Sequence, residues 1–395
     1  MRVSKHILPV IVIAQFLCTS VWFAGNAVLS DLTASLGLSV GLLARFTVMV
    51  QAGFIVGTFV FAFLAIADRF SPVKVFFFSA VAAAIFNYGL SLSGIGLNGL
   101  LTCRFITGFF LAGIYPVGMK IAADYYEVGL GKSLGFLVGA LVLGTAFPHL
   151  LKMFNQNFAW QNVIYGTSIL SLTGGLSMLL FVPDGPFRKK ATGFKLTAFT
   201  KVFRIKEFRI AAFGYFGHMW ELYAFWAFIP VILNAYQRLH ADIFINVSFY
   251  SFLIISIGSV ACVLSGLFSE KFGVKRLASI SLFASAVCCI ISPLVLIFGS
   301  LEIMLTFMLF WGMSVIADSP LFSSLVAKHA PAESRGAALT IVNCLGFAIT
   351  IFSIQLLNSI ISAETPIYGF ATLAIGPIIG LVFLVKKDVI ITSKT

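Results

Sequence analysis

The sequence predicts an all-α integral membrane protein of twelve transmembrane helices, set out as six spans, a basic linker and six more. Three observations carry this. The 395 residues are 60% hydrophobic and only 10% charged, where soluble domains run at about 25% charged. Apolar runs of roughly 20 residues recur from end to end, the length a helix needs to cross about 30 Å of hydrocarbon. The runs are continuous rather than alternating, which selects helices over a barrel as the way to satisfy backbone groups in lipid.

The spans are expected at 7–29, 41–66, 73–93, 98–121, 131–153 and 160–182, then 209–235, 243–268, 275–298, 301–327, 337–359 and 365–385. They are numbered 1 to 12 below. Turn-forming Pro72, Asn98, Gly131, Pro183 and Gly336 stand at their ends. The division is therefore residues 1–182, a linker at 183–208, and 209–395. The first run is too long for the apolar core of a signal peptide and leads into further spans.

Charge placement gives an orientation. All Lys and Arg except Arg45, Arg104, Lys120, Lys152 and Arg238 fall in the two terminal segments, the linker or the short loops on that same side. By the positive-inside rule both termini and the linker are cytoplasmic, and the expected location is the cytoplasmic (inner) membrane. The net charge of +12 thus reflects topology, and no nucleic-acid partner is expected. A single chain supplies both sets of six spans, so a monomer is expected.

Enzymatic chemistry finds no footing. The six cysteines all lie inside apolar runs without zinc or redox spacing and read as small buried hydrophobes. No nucleophile-elbow, HExxH, Walker or CxxC pattern occurs. Gly94-Ile-Gly-Leu-Asn-Gly99 fits GxGxxG, but it joins two membrane helices with no preceding strand and reads as a turn. No cofactor or metal is expected.

Four ionisable residues lie deep in apolar runs: Arg104 in span 4, His218 and Glu221 in span 7, and Asp318 in span 10. A carboxylate at the bilayer centre costs about 3 kcal/mol on insertion scales, so each should face a partner or a water-filled cavity. His218 and Glu221, three apart, share a helix face. Glu221 suits proton loading, with His218 or Asp318 as a second proton site. Asp318 could instead cap the helix segment after Pro320. Arg104 could hold an anion, or be tied to Glu221 or to backbone carbonyls. Gln15, Trp22, Asn26, Gln51, Tyr115, Tyr223, Trp226, Asn343 and Gln355 could line the same cavity or pack between helices. Lys120 and His149, near span ends, read as interfacial.

Two loops carry a family resemblance. Gly266-Leu-Phe-Ser-Glu-Lys-Phe-Gly-Val-Lys-Arg276 joins spans 8 and 9, and Leu64-Ala-Ile-Ala-Asp-Arg-Phe-Ser-Pro-Val-Lys74 joins spans 2 and 3. Both resemble the loop signature of the major facilitator superfamily, the first closely in Gly266, Glu270, Lys271, Gly273 and Arg276. The second keeps Asp68 and Arg69 but has Leu64 and Ser71 where glycines are usual. Arg104 followed by Gly108 resembles a second motif, associated with proton-coupled members. Span 5 lacks the Gly-Pro pair of drug/proton antiporters. The stretches around Gly113-Ile-Tyr-Pro-Val-Gly-Met-Lys120, Gly217-His-Met-Trp-Glu-Leu-Tyr223 and Ile316-Ala-Asp-Ser-Pro320 resemble a bacterial branch labelled nitrate/nitrite-transporter-like. The nitrate carriers' Asn-containing signature is missing from span 5, so that branch implies no substrate.

The resemblance implies two pseudo-symmetric six-helix halves and an alternating-access secondary active transporter. Its solute would be small and hydrophilic, with anions among the candidates, and its coupling would be to H+, as in symport. Arg104, Trp22, Asn26, Tyr115, Tyr223 and Asn343 would bind the solute; Glu221, His218 and Asp318 would couple the proton. Asp68 and Glu270 would latch an outward-open state, with Asp124, Glu127 or Glu333 as partners for Arg69, Lys74 or Lys271. An exporter of amphipathic compounds and a non-transporting receptor of the same shape are the alternatives.

Overall fold

In the computed structural model the described residues are 5–37, 42–126, 130–154, 159–188, 202–331, 335–362 and 366–385. Expectations placed on Glu127, Glu333, Lys189, Lys190, Lys195 and Lys201 lie outside them. No strand occurs among the described residues. Eleven helices are long and apolar enough to cross a membrane, and a shorter one, Ile7–Thr19, precedes them. This is the expected count of twelve in a multi-pass membrane protein.

Three spans are discontinuous, and span 12 passes through a 3-10 stretch at Phe370–Ala374, where the sequence suggested single helices. Span 1 runs Ile7–Thr19, breaks through Ser20–Phe23, and resumes in the short helices Ala24–Ala27 and Leu29–Leu36. Span 4 divides into Leu97–Leu111 and Tyr115–Ala123, and span 10 into Leu301–Ala317 and Ser319–His329. In spans 4 and 10 a proline, Pro116 and Pro320, sits in the first turn of the second segment. Its missing N–H and fixed φ are harmless there but would interrupt an unbroken helix. Asn246 and Ser300 cap spans 8 and 10 by accepting from Phe249 N at 3.0 Å and Ile303 N at 3.5 Å.

Small residues set the packing. Gly53 and Gly57 of span 2 lie against the backbone of Phe105 and Phe109 in span 4, and Gly108 lies against Val50 O in return. With no hydrophobic force between helices in lipid, such close approach supplies the attraction. Across the two halves, span 5 packs on span 8 and span 2 on span 11. At Gly139 of span 5 a Cβ would come within 3.1 Å of Ser259 O in span 8. Large exposed side chains such as Phe78, Leu180 and Phe352 cover the outside of the bundle.

The two signature loops differ in backbone. Helix Val247–Phe272 carries Gly266, Glu270 and Lys271 to its end and turns at Gly273, whose φ of 85° is left-handed. The other loop has its left-handed residue at Ala65 (φ 51°) instead. Ser71, in the glycine's place, has φ −58°, accepts from Lys74 N at 3.3 Å and donates to Asp184 Oδ1 at 2.7 Å. Asp68 pairs with Lys120 at 2.9 Å, which also reaches Asp124 at 3.4 Å. Lys120, expected at an interface with lipid, is therefore the cation that holds Asp68. Arg188 donates to Asp68 O and Phe70 O at 3.1 and 2.6 Å. Lys271 lies 5.5 Å from the Phe272 ring centre.

Candidate functional site

Span 7, Lys206–Leu239, is the most enclosed of the long helices. Two glycines let its neighbours close in: Gly214 faces the Phe322 ring and Gly217 the backbone of Gly376. His218 and Glu221 are thereby sealed, each 1% exposed.

They have different partners. His218 Nδ1 lies 2.7 Å from Asp318 Oδ1, with Asp318 also 1% exposed. Tyr215 and Phe322 flank the imidazole, ring centres 6.0 and 6.1 Å away. Asp318 occupies the position before helix Ser319–His329 but makes no side-chain cap. Its carboxylate turns to the histidine, so the capping alternative is corrected.

Glu221 sits among donors. Ser285 Oγ is 2.5 Å from both carboxyl oxygens, and Oε1 also accepts from Trp311 Nε1 at 2.6 Å and Cys289 Sγ at 3.2 Å. Cys289, read from sequence as a small hydrophobe, is thus a polar contact. These three residues were missed as site members. The signal was present in span 9 as Ser285, Cys289 and Ser292, a polar stripe at helical spacing.

Arg104 is fully buried. Its guanidinium donates to Val21 O at 3.3 Å, Trp22 O at 2.6 Å and Asn26 Oδ1 at 3.1 Å, and Asn26 in turn donates to Thr47 at 2.6 Å. Of the alternatives left open, backbone carbonyls are what it holds. The break in span 1 frees those carbonyls, and the five-donor fork satisfies two of them. Gly25 makes room, since a Cβ there would stand 3.2 Å from Arg104 Cδ. No carboxylate pairs with Arg104 among the described residues.

Between the two halves stands an aromatic cluster. Trp22 of span 1 stacks on Tyr223 of span 7 and Phe347 of span 11, with ring centres 5.7 and 5.9 Å away. Phe54 lies 4.8 Å from Trp22 and 4.4 Å from Phe347, and Trp226 lies 5.3 Å from Tyr223. Asn343 is one turn from Phe347 on span 11 and half-buried; Tyr115 opens the second segment of span 4 and is 8% exposed. At the bundle face opposite the linker a cavity of about 620 Å3 opens, lined by both halves through Asp31, Lys152, Trp160, Asn234, Gln237 and Asn246. Asp31 and Lys152 pair there at 2.9 Å.

The architecture now has a counterpart among known proteins. The sequence profile of the Major Facilitator Superfamily matches residues 11–354. The chain belongs to the Major Facilitator Superfamily. It is a transporter, not an enzyme.

Two solved members of this superfamily share the fold over nearly the whole chain. The human organic anion transporter MFSD10 (TETRAN) superposes with a TM-score of 0.74 at 13% identity, covering 97% of this chain and 100% of that one. The proton:xylose symporter XylE does so with a TM-score of 0.73 at 16% identity, covering 97% and 96%. In sequence the chain is similar to a gentisate transporter of Corynebacterium glutamicum, 28% identical over 182 residues. That match takes in 42% of this chain and 38% of the relative's length.

Proposed function

We propose that this facilitator carries a small organic anion across the cytoplasmic membrane by alternating access and couples the movement to protons. One observation carries the reading. Arg104 is a buried cation whose charge no carboxylate balances among the described residues, and it is fixed behind the broken segment of span 1 that meets the other half through Trp22. An isolated buried charge costs several kcal/mol even after relaxation. An anion arriving beside the break offsets that cost, so affinity and selectivity share one source. The names of two similar proteins, an organic anion transporter and a gentisate transporter, point to the same solute class.

Proton coupling rests on the other half. The His218–Asp318 pair and the donor-held Glu221 are sealed ionisable groups on spans 7 and 10. The proton:xylose symporter supports the idea that this fold accommodates H+ coupling. On the linker face, Lys120 ties Asp68 in the loop between spans 2 and 3 to span 4, and Arg188 ties that loop to the linker; we assign these residues, with Glu270, to latching that face shut. The basic linker supports a cytoplasmic location for that face.

Proteoliposomes test this directly. Labelled organic anions should accumulate when the outside is made acid and should show only counterflow without a gradient. Neutral solutes moving while every anion is excluded would remove the anion part. Accumulation indifferent to the pH step would remove the proton part.

A further inference from the structure

Two tryptophans in the aromatic cluster differ from the others nearby. Buried indole N–H groups normally find an acceptor, and Trp311 Nε1 and Trp220 Nε1 do so, at 2.6 Å to Glu221 and 3.4 Å to Thr372 O. Trp22 Nε1 and Trp226 Nε1 are buried with no partner among the described residues. Among the same residues neither end of the Gln15 or Gln51 carboxamide has one. Asn26, a buried amide on the same break, is paired at both ends. An unpaired buried donor or acceptor costs about 1–3 kcal/mol. A cluster evolved only to pack would not place two bare indole N–H groups and two bare amides around it.

The two indoles stand in the cluster itself, Gln51 stands beside it, and Gln15 lies seven residues before Trp22. Gln51 lies one helical turn from both Thr47, which bonds Asn26 of span 1, and Phe54, which touches Trp22. Gln15 lies one turn before the break and reaches Gly118 of span 4. The rings they surround are nearly parallel across the half boundary: Trp22 makes 29° with Tyr223 and 25° with Phe347.

We infer that the solute is a small planar aromatic acid carrying a polar ring substituent, inserted between Trp22 on one side and Tyr223 and Phe347 on the other, with the Trp226 indole as its hydrogen-bond donor. This rests on the anion-carrier reading above and adds the ring. The argument is dimensional. A ring held between two others needs two contact distances of about 3.5–4 Å, and the present centre separations of 5.7 and 5.9 Å fall short by one to two ångströms on that scale. Because the stack joins the two halves, their separation is the motion that opens it. The ring then replaces the aromatic contacts that are lost, and its substituents meet the bare N–H and amide groups. The acid's charge comes to rest near Trp22, whose carbonyl Arg104 grips.

The test uses the intact chain in detergent and in liposomes, with four probes: 4-hydroxybenzoate, cyclohexanecarboxylate, lactate and glucose. The expected result is that 4-hydroxybenzoate binds, quenches tryptophan emission, and is preferred over cyclohexanecarboxylate by about tenfold or more, the scale of one aromatic face plus one hydrogen bond. Trp226→Phe keeps a ring and loses the N–H; it should weaken 4-hydroxybenzoate about tenfold while leaving the Tm of the free protein within a few degrees. Trp22→Phe should abolish most of the quenching and serves as the second variant should the first fold poorly. Equal affinity for the saturated and aromatic rings, or an unaltered response in both variants, overturns the aromatic assignment while leaving an anion carrier. Binding of glucose in place of all three acids overturns both.

Discussion

His218 and Asp318, from spans 7 and 10, meet at 2.7 Å with both side chains 1% exposed. The pair is dry and shared between two helices, and its charge state bears on how those helices hold together. Removing one member strands the other, a loss of about 3–5 kcal/mol for buried pairs, whereas removing both is far milder. His218→Gln and Asp318→Asn should each lower the melting temperature markedly, and the double variant should recover most of it. A double variant as unstable as the sum of the singles would show that the two do not interact.

Glu221→Gln should fold nearly as well as the parent. Its amide oxygen can still accept from Ser285 and Trp311, the donors that hold the carboxylate now. Accumulation driven by a pH gradient should disappear while counterflow persists. Measuring both modes in one liposome preparation separates coupling from passage, and retention of the driven mode would assign the proton to His218–Asp318.

Arg104→Lys keeps a charge but not the fork. Lysine cannot hold Val21 O, Trp22 O and Asn26 Oδ1 in one plane, so at least one buried carbonyl loses its donor at about 1–3 kcal/mol. The expected outcome is a lower melting temperature together with weaker organic-anion binding. Arg104→Lys that leaves both unchanged would reduce the guanidinium to a bystander.

Gly273→Ala and Gly108→Ala should fail differently. At Gly273 nothing stands within 4 Å of an added Cβ and the penalty is the left-handed φ alone, about 1–2 kcal/mol. At Gly108 the Cβ meets the backbone at Val50 O, which cannot step aside. Thermal unfolding should rank the second well below the first.

Asp124, just past the end of span 4, is pushed above the usual carboxylate range by burial, with Lys120 pulling the other way. A raised pKa means the folded chain holds this proton more tightly than the unfolded one. Its contribution to stability is greatest below the unfolded carboxylate value and declines as pH rises toward the folded one. Asp124→Asn should flatten the melting-temperature profile on the acid side of neutrality; an unchanged profile would place that slope in other groups.

The number of spans and the membrane class were legible because hydrophobic length is a property of the chain alone. The breaks in spans 4 and 10 left a sign in Pro116 and Pro320. The break in span 1 did not, since Ser20-Val-Trp-Phe23 holds no helix breaker and is fixed by Arg104 from more than eighty residues away. Sequence spacing put His218 and Glu221 on one face but could not assign partners. Those are chosen by which neighbours approach, and Gly214 and Gly217 decide that in three dimensions. Ser285 and Cys289 went unnoticed for the same reason: short polar side chains cost little in a helix and announce nothing until a carboxylate is placed beside them.

The broken first span has a consequence for how the chain is made. Its opening helix, Ile7–Thr19, has 13 residues and measures about 20 Å, short of a membrane core near 30 Å. The remainder of the crossing is held by a residue 82 and 83 positions later in the chain. At about 5–20 residues per second of synthesis, Arg104 emerges several seconds after the segment it secures. Span 1 is therefore finished by span 4, and during insertion Ile7–Thr19 waits for a guest that has not yet been translated.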